Sequence, residues 1–357
     1  MNAPIKYQPS HETVGPDEGK VVDDLIGSLH HISKTTFEDS GHALRGVHAK
    51  SHGLLRGELT VLGGLPETLA QGVFAEPATF PVVIRLSTSP GDILDDDVST
   101  PRGLALKVIG VAGARLPGSE GDTTQDFLMV NGPAFLKPDA RSFASSLEQL
   151  AATTDKAEGL KKVLSAVLRG AERIIESVGG ESATLKSLGG HPESNILGET
   201  FFTQTPFLHG PYMAKLSIAP LSANLRALHD AKVDLRGKPD GLRAAVIDFF
   251  HSNDAEWEVR VQLCTAIDEM PIEDASKLWP EELSPFIPVA RLKVSRQQAW
   301  DASASSKSED QLAFSPWHGL AAHRPLGSVN RARRATYQSS ADFRGTHNKC
   351  PMHEPRS

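Results

Sequence analysis

The chain has 357 residues, 39% of them hydrophobic and 23% charged, with a net charge of −7. That is an ordinary globular composition with material for one large domain or two smaller ones; the negative balance argues against a nucleic-acid partner, whose phosphates ask for a basic face. Two cysteines, Cys264 and Cys350, imply no disulfide framework, no apolar run approaches a membrane span, and the polar N-terminus shows no secretory signal, so a cytoplasmic location is expected.

Residues 1–20 are polar and scattered with Pro and Gly, and are expected to form a flexible arm. Over 21–32, Val22, Leu25, Ile26, Leu29 and Ile32 recur at helical spacing and predict a short amphipathic helix. The period then changes. Residues 55–62, 81–88, 104–111, 126–131, 212–219 and 257–266 are short β-branched or alternating runs, read as strands. In the last, Trp257, Val259, Val261 and Leu263 alternate with Glu258, Arg260 and Gln262, which marks a strand with one face on a core. Residues 157–178 carry the strongest helical stripe, and 278–283 and 296–302 suggest shorter helices. Clustered strands followed by helices read as α+β, an antiparallel sheet or barrel with appended helices. One domain is expected over 21–350, followed by a tail at 351–357.

Three segments carry candidate chemistry. Arg45-Gly46-Val47-His48-Ala49-Lys50 precedes a strand; its histidine is either a satisfied structural residue or a proton relay in a pocket, with Arg45 to hold an anion. The second segment runs from Arg85-Leu86-Ser87-Thr88 through Pro101–Lys107 to Asp126–Phe135. Arg85 lies within an apolar strand, where an unpaired guanidinium is costly, so it has to meet an anion or reach solvent. Asn131-Gly132-Pro133 reads equally as a simple turn. The third segment places Arg333 and Tyr337 one helical turn apart, with Arg344 seven residues further on. A guanidinium against a phenol favours the phenolate, the form that binds ferric iron; the alternative is a basic surface helix with an interfacial tyrosine.

In this order the strings resemble the catalase family. Arg45–Lys50 looks like its R-x-x-H-A-K motif, Arg85–Thr88 like R-F-S-T, Pro101–Lys107 like P-R-G-F-A-x-K, and Asp126–Phe135 like D-L-V-x-N-x-P-x-F. Arg333, Tyr337 and Arg344 keep the spacing of its proximal helix, and Met270-Pro271 and Lys277-Leu278-Trp279-Pro280 echo later strings. The resemblance spans roughly residues 40–350. It implies an antiparallel β-barrel core with appended α-helices and a bound haem b. His48 would be the distal acid–base, oriented by Ser87, with Asn131 as the second distal polar group. Val47 would pack over the haem, and Phe135 and Phe143 would line the distal side. Arg45, Arg85 and Arg344 would hold the propionates, Tyr337 would ligate iron supported by Arg333, and Asp96 would stand in an access channel.

The departures matter as much. Thr100 stands where the family has Asp, Leu104 replaces an aromatic, and the residues around the tyrosine become Tyr337-Gln338-Ser339-Ser340. No flavodoxin-like extension follows the last motif. A wider approach to haem is therefore expected, and with it peroxidase use of bulkier hydroperoxides beside hydrogen peroxide, with an organic electron donor as partner and homo-oligomeric assembly. The alternatives are a catalase-like fatty-acid hydroperoxide lyase or isomerase, and a non-enzymatic haem-binding protein. Cys350 with His353, His30 with His31, and His48 with His52 each lack the further ligands a zinc site needs.

Overall fold

The computed structural model describes residues 2–98, 100–151 and 193–355. In chain order it runs α1 (Glu18–Ser40), β1 (Ser51–Val61), β2 (Thr79–Thr88), β3 (Arg102–Ile109), β4 (Thr124–Val130) and α2 (Ala140–Ala151). There follow β5 (Phe201–Phe202), β6 (Phe207–His209), β7 (Tyr212–Pro220), α3 (Ala223–Arg226), α4 (Gly241–Ser252), β8 (Ala255–Leu263), β9 (Ile287–Val294), α5 (Ala304–Gln311) and α6 (Ser328–His347). The expected helix at 157–178 lies outside the described residues.

The strands form one antiparallel sheet that closes on itself. From β1 it extends through β2 and β3 to β4 on one side and through β9 and β8 to β7 on the other. β5 pairs with both β4 and β7, completing a ring of eight strands, while β6 hangs from β7 as a hairpin. The expected α+β class with a barrel core is what the chain adopts. Alternation explains it: Leu55, Leu59, Ile84, Leu86, Leu104, Leu106, Phe127, Met129, Leu216, Ile218, Val259 and Val261 are buried in one contiguous core. Closure also removes exposed strand edges.

Helices α1, α2 and α6 form a separate layer around Val21, Leu25, Ile32, Ala140, Leu147 and Ala332. α1 is twice as long as its apolar stripe announced, and ends at Gly41, whose φ of 69° lets its N–H reach back to the Phe37 carbonyl. α4 lies against β1, where Gly53 leaves the space that Val246 occupies.

Three expectations fail. Residues 278–283 and 296–302 are not helical. Pro280 and Pro285 break the first into turns, and in the second tertiary bonds prevail: Gln297 N–H donates to the Phe250 carbonyl, and its side chain grips the backbone of Arg56. The N-terminal segment is not a loose arm. Ile5 N–H donates to Cys264 O and Tyr7 N–H to Pro211 O, both at 2.8 Å, and Arg331 of α6 binds Glu12, Glu18 and Glu273 together. The tail is tied down as well: His353 N–H donates to Gln311 O at 2.8 Å, and Glu354 meets His318. Among the described residues no helix is long and apolar enough to cross a membrane.

Candidate functional site

One end of the barrel gathers the start of β1, the end of β2, the start of β3 and the end of β4. His48 stands there, in the turn between α1 and β1, with a φ of 53°, a conformation uncommon outside glycine. Its N–H donates to the Ser89 carbonyl at 2.8 Å, and Nδ1 meets Ser87 Oγ at 3.1 Å. Ser87 pairs across the sheet with Gly103. A Cβ on Gly103 would lie 2.5 Å from His48 Nδ1 and 2.9 Å from Ser87 Oγ, so only glycine leaves room for the ring. Burial, reinforced by Arg85, Arg333 and Arg45, pushes His48 down to about 3. The residue keeps some accessible surface, yet the ring is densely surrounded. It is a neutral imidazole at any ordinary pH.

Asn131, just past β4, is fixed at the same rim. Its Oδ1 accepts the Arg102 N–H at 2.9 Å, and its Nδ2 donates to Glu199. Glu199 also receives the Arg102 guanidinium and Ser194 Oγ, the latter at 2.9 Å.

Helix α6 supplies the facing wall. Arg333 donates to the Tyr337 hydroxyl at 3.0 Å, with its guanidinium 5.1 Å from the ring centre, as the one-turn spacing predicted. Between α6 and the His48 turn lies a cleft of about 430 Å³, its open mouth included. Arg45, Gly46 and Val47 line it on one side and Tyr337, Ser340 and Arg344 on the other, with Phe314 beside them.

Three arginines converge at one end of this arrangement. Arg85, from the middle of β2, is buried and grips both oxygens of Glu309 through Nε, at 2.7 and 2.8 Å. Arg45 pairs with the same carboxylate and donates to the backbone oxygens of Glu309 and Leu312. Arg344 donates to those two carbonyls at 3.2 Å each. Burial alone would raise the Glu309 carboxyl, but Arg45 and Arg85 overcome it and bring it to about 2.

Of the residues singled out in the sequence, Arg45, Val47, Tyr337 and Arg344 line the cleft; His48 follows Val47 directly and meets Ser87, and Arg85 shares Glu309 with Arg45. Asn131 belongs to the Arg102–Glu199 network at the rim. Phe135 and Phe143 meet each other edge to face with centroids 5.1 Å apart, Phe143 packing on the three-helix layer. Asp96 is buried in a 2.8 Å pair with Lys50 and accepts the Leu242 N–H. Glu309 and Glu199 belong to this arrangement, and sequence reasoning missed them. The burial of Arg85 demanded an anion, but nothing in Ser-Lys-Ser-Glu-Asp-Gln marks Glu309 as that anion.

No family model and no curated protein matches the sequence. Solved structures do match the fold. A fungal catalase superposes with a TM-score of 0.59 at 18% identity, over 96% of this chain and 66% of its own. Catalase A from Saccharomyces cerevisiae gives 0.58 at 16%, over 96% and 67%, and a bacterial catalase 0.57 at 19%, over 96% and 63%. The chain thus spans about two thirds of the length of the catalases it resembles, and at these identities the likeness establishes the fold alone.

Proposed function

We propose that the chain is a haem-dependent enzyme that processes peroxide, decomposing or reducing hydrogen peroxide and organic hydroperoxides. The observation that carries this reading is the cleft: a neutral imidazole adjoins Val47 on one wall, an arginine-backed phenol lines the other, and guanidiniums cluster at its end.

The residues fit haem b. Arg45 and Arg85 meet the single carboxylate of Glu309 and Arg344 meets its backbone carbonyl, which leaves two positive charges in excess, and haem b carries two carboxylates. Arg344 Nε is buried without a partner, an N–H prepared for an acceptor. Tyr337 would ligate the iron, while Arg45, Arg85 and Arg344 would hold the carboxylates and Val47 would cover one face. Haem would supply the redox chemistry that breaks the O–O bond.

The chain's own part is acid–base and positioning work. With Nδ1 turned to Ser87, Nε2 of His48 is the basic nitrogen. It would take the substrate's proton and return it to the departing oxygen, while the electrons for O–O cleavage would come from the haem. Ser87 and the cramped space over Gly103 hold the ring in one orientation. Asn131, anchored by Arg102 and Glu199, is the second polar group that orients the substrate. Arg333, donating to the Tyr337 oxygen at 3.0 Å, would hold that oxygen in place as a ligand.

The absorption spectrum of the purified protein tests this directly. A high-spin ferric spectrum with tyrosinate ligation is expected, and Tyr337→Phe should lose both the spectrum and most of the haem. A variant with unchanged spectrum sinks the assignment of Tyr337. Product analysis then assigns the reaction: dioxygen means dismutation, an oxidised donor means peroxidase chemistry, and a rearranged oxylipin means an isomerase.

A further inference from the structure

We propose that Glu309 is a built-in counter-ion that sets the charge of the arginine cluster: it lets the chain fold with the cluster assembled, and it leaves room for the charge of a dicarboxylate ligand. The part of this that concerns the ligand rests on the haem reading above; the part that concerns the cluster does not.

The argument begins with repulsion. Arg45, Arg85 and Arg344 come from a turn, a strand and a helix far apart in sequence, and their guanidiniums converge on one residue. Arg85 and Arg344 are nearly fully buried, at 2% and 4% exposure. Like charges at such spacing in a poorly solvated site repel strongly, and no chain would assemble three of them without an anion among them. Glu309 is that anion, itself only 7% exposed. Its carboxylate takes Arg85 and Arg45, while its own carbonyl takes Arg344 and a second N–H of Arg45.

The element that carries it has little else to hold it. α5 spans eight residues, Ala304–Gln311, all but one of them small or charged, and Glu309 is its only buried side chain. Asp310 beside it ties to His42 and Asn348 at the surface. α5 is therefore placed by the cluster rather than by an apolar face. Glu309 neutralises one charge of three, and the partnerless N–H of Arg344 marks where the rest of the charge is met.

Removing the negative charge should weaken the ligand-free chain and strengthen its grip on an anion. Thermal unfolding of the full chain tests the first part without any ligand. Glu309→Gln should lower the melting temperature by several degrees. The double variant Glu309→Gln with Arg45→Gln, which restores the original charge excess, should recover most of that loss. If the double variant melts no higher than Glu309→Gln, the charge-setting role is wrong. Should the single variant be insoluble, folding of the double variant supports the proposal and its failure to fold overturns it.

Titration with haem and with haem dimethyl ester, followed in the Soret band, tests the second part. The preference for the free diacid should rise at least about tenfold in Glu309→Gln, because one more positive charge then faces the two carboxylates. An unchanged preference overturns the claim that Glu309 limits the charge left for the ligand. If the wild-type chain takes up neither compound, the haem reading fails, while charge rescue in the melting experiment still decides the role of Glu309.

Discussion

His48 is held away from protonation by its surroundings, and this has a kinetic signature. A histidine that titrated at its ordinary value near 6.5 would be spent as a base in mild acid. With His48 pushed down to about 3, the rate of the peroxide reaction should stay level from pH 7 to pH 5. Stopped-flow rates that halve around pH 6.5 would show that the ring is not the neutral base argued for. His48→Ala should leave cofactor loading intact and slow the reaction with peroxide by about 10²–10⁴-fold, the usual contribution of a positioned acid–base group. Gly103 offers a subtler test. Gly103→Ala inserts a methyl 2.5 Å from the His48 ring, so the ring has to swing off Ser87. The variant should bind haem normally and react with peroxide at least about tenfold more slowly. Equal rates would mean that the Ser87 contact does not orient the base.

Helix α6 carries Tyr337, Arg333 and Arg344, and its first turn is pinned by Arg331. That guanidinium meets three carboxylates, Glu12, Glu18 and Glu273, which raise its affinity for the proton still further. Arg331→Ala leaves three half-buried acids without their common cation. The expected cost is about 2–4 kcal/mol, below that of a fully buried pair because solvent screens part of it. Limited proteolysis should then cut within residues 2–17 first; wild-type resistance there would show that the backbone bonds of Ile5 and Tyr7 suffice. This clasp was not legible in the sequence, where the N-terminal segment looked like a solvated arm. The arginine stands 319 positions from Glu12, 313 from Glu18 and 58 from Glu273, and composition carries no trace of such pairing. The barrel was legible because alternation is local: Trp257 to Leu263 repeat inward and outward within one strand. The site was legible in part for the same reason, since Arg333 and Tyr337 are one turn apart. Glu309, Glu199 and the short closing strand β5 depend on contacts between distant segments, and so escaped.

The whole molecule should be sensitive to mild acid. His209 and His323 are buried with their basicity depressed, to about 4 and about 3, chiefly by desolvation. Their folded values, like that of His48, lie below the unfolded one. The stability they represent is therefore fully present above about pH 6.5 and is lost as pH falls from there toward 4. Each such group contributes a slope of about 1.4 kcal/mol per pH unit across that window. Glu309, lowered instead of raised, keeps its contribution above about pH 4.5 and loses it toward pH 2. Urea unfolding should thus show stability declining already between pH 6.5 and 5, before any carboxylate is protonated. A flat profile to pH 5 would mean that the buried imidazoles are hydrated in the folded chain.

The barrel's closure is uneven in a way that bears on how the molecule breathes. β1 and β2 face each other along nearly their whole length, whereas β5 holds the ring shut with one partner on β4, Val130 to Phe202, and two on β7. Such a ring resembles a hoop fastened by a short clasp. Opening it there breaks the fewest ladder bonds, so the amide of Phe202 should exchange with solvent sooner than those of Leu104 and Leu106 on the long strand β3. Asn131 and Glu199 sit immediately beside that clasp. Thermal opening of the barrel is thereby steered to the rim that carries Asn131, and away from β2, the strand that carries Arg85 and Ser87.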